Sequence, residues 1–250
     1  MDNSGSPALV PFHIDEDLTA LSLYTPSQED ANLLAQPFIV GIAGGRCSGK
    51  RSMGSVLCDR IAHQNHLTGR QVLVLNQDDF YRELSDQERQ LAQTGQLNMD
   101  HPDAFDFAHL DTVLASLRAG REVVLPVWDR TTFTRQPGAT VTSKPDVVLL
   151  TGVLILYKRR IRQYMSLMVF VDIDSDTRLS RQVTALMETD EKGTGLTRML
   201  RHYTFIAKPS FEEFILPTKR WADIIVPKGR GNQVAINMIL QHMNELFKAP

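Results

Sequence analysis

The sequence predicts an α/β fold, a mostly parallel sheet covered by helices on both faces. Three observations predict it. Short β-branched runs alternate with amphipathic segments, a Gly-x₄-Gly-Lys string stands between the first run and the first amphipathic segment, and the composition is that of an ordinary globular chain. With 42% apolar and 22% charged residues among 250, global disorder, collagen-like and coiled-coil architectures are excluded. Lys and Arg number 27 against 29 Asp and Glu, and the net charge of −2 is no footprint for bulk nucleic acid or an anionic membrane surface. Cys47 and Cys58 form neither a CxxC pair nor a zinc spacing, so a reducing compartment, the cytoplasm, is expected. No apolar run approaches the roughly 18 residues that span a bilayer. The first residues lack the basic start and apolar core of a signal peptide.

Residues 1–35 carry Ser, Pro, Asp and Glu without periodicity and read as a flexible tail, with or without a short docking motif. A domain is expected over residues 36–250. Pro37–Ala43 reads as a buried strand. Lys50–Gln64 places Met53, Val56, Leu57 and Ile61 on one helical face. Val72–Asn76 reads as the next strand. Phe107–Leu117 carries the stripe Phe107, Leu110, Val113, Leu114 and Leu117, with Gly120 as its stop. Val123–Val127, Val147–Leu150, Met168–Ile173 and Asp223–Val226 are further strand runs, and Asn232–Phe247 aligns Ile236, Ile239, Met243 and Leu246 as a last helix. Two segments break the rhythm: Thr-rich Pro126–Pro145 suits a hairpin or excursion, and Thr189–Gly195 an exposed, mobile loop.

The sharpest chemical signal is Gly44-Gly45-Arg46-Cys47-Ser48-Gly49-Lys50. Its glycines let backbone N–H groups curl round phosphate oxygens, the helix start adds partial positive charge, and Lys50 neutralises the β- and γ-phosphates. The next position wants a Ser or Thr hydroxyl for Mg²⁺, and here it is Arg51, with Ser52 one residue out of register. Either Mg²⁺ is held through water and phosphate, or the metal site is impaired. Asn76–Tyr81 follows the second strand, and the carboxyl ends of parallel strands hold ligands. Asp78 there is placed to take a proton from an attacking hydroxyl, or the Asp78-Asp79 pair caps the following segment. Leu97–Asp106 gathers hydrogen-bonding side chains suited to a polyhydroxy ligand, or to capping the following helix, with Asp106 as the N-cap. Asp172-x-Asp174-x-Asp176 opens like a calcium loop, but Thr177 and Val183 stand at positions six and twelve, so calcium is rejected. The Lys158–Arg162 run reads as a solvated helix face, and Trp221, Phe211 and Phe214 as core and edge packing.

Together these segments resemble the uridine–cytidine kinases of the P-loop kinase superfamily. The resemblance rests on residues 41–50, 77–84 (QDDFYREL), 100–106 (DHPDAFD), 170–181 (FVDIDSDTRLSR) and 208–229, in that order and at that spacing. It implies a P-loop NTPase fold of the nucleoside/nucleotide kinase type: a five-stranded parallel sheet flanked by helices, a hairpin over the nucleoside (126–145) and a short lid (186–197). It implies Asp78 as the base for the nucleoside 5′-hydroxyl, with Lys50 and the backbone from Gly45 binding ATP. Gly44, Arg51 and Ser52 border that loop. It places Tyr81, Asp100, His101, Trp128, Phe133 and His202 on the nucleoside side. ATP with Mg²⁺ and a pyrimidine nucleoside are the implied ligands, no residue being assigned as metal ligand, and a homotetramer is the implied assembly.

Departures gather at working positions. Arg51 replaces the metal-ligating hydroxyl, Thr151 an acidic residue, Arg130 an apolar wall and Phe133 a base-reading His; Gln182, Ala185, Lys192 and Thr194 replace lid arginines, and His202 replaces a Gln. Arg51, Arg198 and Arg201 are the candidates to compensate. The leading expectation is an ATP-dependent uridine/cytidine kinase of pyrimidine salvage, of full or reduced activity. The other is a non-catalytic paralogue that binds nucleotide and assembles with active subunits.

Overall fold

The computed structural model describes residues 36–63, 70–188 and 195–248. Seven strands are described: β1 Phe38–Gly44, β2 Val72–Asn76, β3 Val123–Asp129, β4 Thr134–Val141, β5 Val147–Gly152, β6 Leu167–Asp172 and β7 Ile224–Pro227. The helices that concern the site are α1 Lys50–His63, α2 Asp86–Gln93, α3 Phe107–Arg118, α4 Ser175–Met187, α5 Leu196–His202 and α6 Gln233–Lys248. Five strands form one parallel sheet in the order β2-β5-β1-β6-β7, as the resemblance implies. β3 and β4 pair antiparallel in a separate sheet of two. Val123–Val127 therefore belongs to the hairpin and not to the parallel sheet. Its β-branched run matches a buried strand in composition, but it pairs with the following segment.

Both faces of the sheet are covered, and the strand period of two sorts the residues between them. Ile39, Leu75, Val148, Leu150 and Phe170 pack against the α3 side with Leu110, Val113, Leu114 and Leu117. Val40, Ile42, Val147, Leu149 and Val169 pack against α1, through Met53, Leu57 and Ile61, and against α6, through Ile236, Ile239 and Met243. Val56 is only half-buried. Helix α3 starts at Asp106, whose carboxylate accepts the His109 N–H, and stops where Gly120 takes a φ of 66°. Asp172 closes β6 and Asp174 precedes α4.

The run Lys158–Arg162 is more than a solvated face. It holds a single helical turn, Arg159–Arg162, in which Arg160 pairs with Asp111 and Arg162 lies 4.4 Å above the Trp221 ring. From Leu196 to Trp221 the chain is helical throughout, with π segments at Tyr203–Ala207 and Phe211–Ile215. The tail 1–35 and the loop 189–194, with Lys192 and Thr194, lie outside the described residues. Among the described residues no helix is long and apolar enough to cross a membrane.

Candidate active site

The site lies at the carboxyl ends of β1, β5 and β2, which are neighbours in the sheet. Between β1 and α1 the loop turns through a left-handed Cys47 (φ 58°) and Gly49 (φ 92°). A Cβ on Gly45 would stand 2.7 Å from a guanidinium nitrogen of Arg178 and 2.9 Å from the Phe211 ring, so the close approach demands glycine there. Ser48 is fully buried and its hydroxyl has no partner among the described residues. The Lys50 ammonium donates to the Gly45 carbonyl at 3.2 Å, and desolvation, against the field of Asp78, brings its pKa down to about 8. Positively turned backbone, an orphaned hydroxyl and a lysine resting on the loop's own carbonyl fit a phosphate cradle.

Two arginines that sequence reasoning passed over brace this loop. Arg178 stacks 3.7 Å above the Phe211 ring beside Gly45, and Arg181 donates to the carbonyls of Cys47 and Ser48 at 3.2 Å each. Their spacing of three on α4 places them on one helix face, a signal present in the sequence.

Asp78 sits in the 3₁₀ turn Gln77–Phe80 directly after β2. Its Oδ2 accepts from Arg51 at 2.6 Å and from Arg130 at 2.9 Å. Burial works against its ionisation, but Arg46, Arg51, Lys50 and Arg130 together hold the carboxyl below the ordinary carboxylate range. The arginines are 47% and 63% exposed and Asp78 is 16% exposed, so solvent screens the pairs from the arginine side only. Asp79 accepts the Trp128 N–H at 3.3 Å and so ties the hairpin to this turn.

On the other side of the loop Arg46 reaches Asp100 and Tyr81. Its Nε donates to Asp100 Oδ1 and Oδ2 at 2.6 and 2.8 Å, and its Nη2 to the Tyr81 hydroxyl at 3.0 Å. Asp100 is only 3% exposed and Arg46 is 36% exposed, so parting them costs more than parting a surface pair, though less than the about 3–5 kcal/mol of a fully buried one. The cleft bounded by Arg46, Asp100, Gln182 and Tyr203 has only about 10 Å³ left. Tyr81 stacks on Phe105 (4.5 Å) and leans on buried Trp128 (5.2 Å). Arg135 of β4 donates to the Tyr81 carbonyl at 2.6 Å and pairs with Asp106 at 3.1 Å, holding the hairpin down.

Other expected residues lie further out. His101 accepts the Asp103 N–H, capping the turn Pro102–Ala104, and meets Phe214 edge-on. Phe133 ends the hairpin loop at φ 55° and packs half-buried against the core. His202 lines a cavity of about 580 Å³ with Arg198 and Arg201; desolvation lowers its pKa, with Asp100 and Arg46 acting on it in opposite senses. Thr151, 1% exposed, donates its hydroxyl to Asn76 at 2.9 Å.

Mg²⁺ does not fit these residues. Arg51 has no lone pair to donate, its guanidinium and that of Arg130 occupy Asp78, and the Thr151 hydroxyl is turned to Asn76. Among the described residues no group of three His, Cys, Asp or Glu could hold a metal ion.

A doubly covered parallel sheet with a phosphate cradle after β1 and a carboxylate after β2 defines a P-loop kinase. Residues 39–235 match the phosphoribulokinase/uridine kinase family. The chain is 42% identical over 224 residues to uridine-cytidine kinase 2-B of Danio rerio, covering 88% of this chain and 84% of that one. It is 37% identical over 227 residues to the chloroplastic uridine/cytidine kinase UKL1 of Arabidopsis thaliana, covering 90% of this chain but 45% of that protein's length. Among solved structures it is similar to a possible uridine kinase from Bacillus stearothermophilus (TM-score 0.50, 18% identity, 79% of this chain and 97% of that one). A candidate fructose transport system kinase from Silicibacter sp. TM1040 gives a TM-score of 0.54 at 20% identity, over 80% of this chain and 97% of that one. The chain belongs to the phosphoribulokinase/uridine kinase family.

Proposed function

We propose that this chain transfers the γ-phosphoryl group of ATP to the 5′-hydroxyl of uridine or cytidine, a step of pyrimidine salvage. One observation carries the reading: Asp78 pairs at 2.6 Å with the residue that follows the loop lysine, so an ionised carboxylate stands beside the phosphate cradle. In the transfer the hydroxyl O–H bond breaks and its proton passes to Asp78. A new O–P bond forms to the γ-phosphorus, the β–γ bridge bond breaks, and ADP leaves. Residues 44–52 cradle the phosphates and Lys50 balances the charge that builds there.

We assign this activity to residues 36–250, with 126–145 over the nucleoside and 186–197 as the lid. Tyr81, Asp100, His101, Trp128, Phe133 and His202 form the nucleoside side in this reading. We place the enzyme in the cytoplasm, the reducing compartment that Cys47 and Cys58 suggest, and as a homotetramer on the resemblance.

The test is Asp78→Asn, which keeps the shape of the site and removes its basicity. A positioned general base is worth about 10²–10⁴ in rate, and kcat should fall by that much with nucleoside affinity nearly unchanged. A loss below about tenfold would show that Asp78 is not the base. A second reading, a non-catalytic paralogue that assembles with active subunits, is favoured by one observation: both carboxylates, Asp78 and Asp100, are held by arginines. Nucleotide binding without transfer to any nucleoside would select it.

A further inference from the structure

The phosphate loop lacks residues to hold a divalent cation and carries surplus positive charge instead. Arg51 and Arg130 pair with the single carboxylate of Asp78, and Lys50 lies within its field. Arg46 is balanced by Asp100, and Arg178 and Arg181 add two further cations that hold the loop itself. The cations at the loop therefore outnumber the carboxylates in their field, Asp78 in contact and Asp79 and Asp100 beyond it. Such an excess repels a divalent ion and attracts a polyphosphate. A metal bridging two phosphates brings two positive charges; two guanidiniums bring as many, each with a planar fork matched to phosphate oxygens.

The contacts are also placed for exchange. Arg51 and Arg130 are both largely in solvent, come from different elements, and meet on one oxygen, Oδ2. A terminal phosphate offers three acceptor oxygens and more charge than that one atom.

We propose that Arg51 and Arg130 take the part of the divalent cation, so that this chain binds a nucleoside triphosphate without metal, its terminal phosphate accepting hydrogen bonds from the two guanidiniums and Lys50. The proposal rests on the reading of residues 44–50 as the nucleotide site. It also uncovers Asp78 in the same event, since the arginines leave the carboxylate for the phosphate.

The experiment is calorimetric titration of the full chain with ATP, once in EDTA and once in excess Mg²⁺. The two dissociation constants should agree within about threefold, and Arg51→Ser/Arg130→Ala should lose about tenfold or more in EDTA. Arg51→Lys keeps the charge and loses only the fork, so in EDTA it should bind more weakly than the parent but more tightly than Arg51→Ser, which separates lost charge from a damaged fold. A parent that binds about tenfold or more weakly in EDTA, a parent that binds ATP in neither buffer, or a double variant that binds metal-free ATP like the parent would each overturn the proposal. A transfer assay run alongside separates it from the kinase reading. Phosphorylation of uridine with metal-dependent ATP binding defeats the proposal alone, whereas metal-free binding without transfer upholds it and defeats the kinase reading.

Discussion

Lys50 holds its charge close to the edge of the working pH range, because the loop strips water from an ammonium that Asp78, Asp100 and the Gly45 carbonyl support less than water would. Its free-state pKa of about 8 makes a prediction with a definite sign. Bound phosphate favours the charged form, so binding takes up a proton once the free lysine has lost it. ATP affinity should be flat below about pH 7.5 and fall by up to roughly tenfold per pH unit above 8. Titrations from pH 6.5 to 9.5 check this, and Lys50→Met should flatten the curve at a weaker affinity. Asp78 behaves oppositely: its folded-state pKa is lowered, so its stabilising contribution is present at neutral pH and is lost only as the pH falls through the carboxylate range. Arg46 makes a different prediction. A ribose that needs Asp100 must first displace a guanidinium from a carboxylate that is 3% exposed. Arg46→Thr should tighten uridine binding by about tenfold or more, against the usual loss from a truncation. Uridine calorimetry decides, and unchanged or weaker binding would mean that Arg46 does not block the sugar.

At the scale of elements, the proposed function gives the hairpin control of the base. Asp79, Arg135 and Trp128 fasten β3 and β4 over Tyr81, and in the proposed function the loop's Phe133 offers only an apolar ring to the pyrimidine edge. A site without that contact loses its power to discriminate. Uridine and cytidine should bind weakly and within about threefold of one another, and paired calorimetry would refute this with strong selectivity for either. The site's local parts could be read from sequence, because each is set by neighbours along the chain. The loop spacing gives the left-handed turns at Cys47 and Gly49, and Asp106 caps its own helix. The contacts that now define the site could not be read so. Arg46 meets Asp100 across 54 positions and Arg130 meets Asp78 across 52, and only the sheet order and the hairpin's docking decide such meetings. The same reason misplaced Val123–Val127: its composition is that of a core strand, but pairing with β4 is a matter of register and turn.

Over the whole molecule, parallel order puts the working groups on one edge of the sheet. β5 lies between β1 and β2, so its Thr151 sits between the cradle and Asp78, where it bonds Asn76 instead of presenting a carboxylate. The scaffold below is ordinary: two apolar clusters, one on each face, with α1 and α6 closing one side and α3 the other. A family fold thus carries a site whose two carboxylates rest on arginines. Whether that site still transfers phosphate is the central claim. The most direct measurement is incubation of the full chain with γ-radiolabelled ATP and a panel of nucleosides, beside Asp78→Asn. Label is expected in uridine and cytidine monophosphates from the parent, with a loss of about 10²–10⁴ in rate for the variant. No label in any nucleoside, from a parent that binds ATP, would contradict the claim.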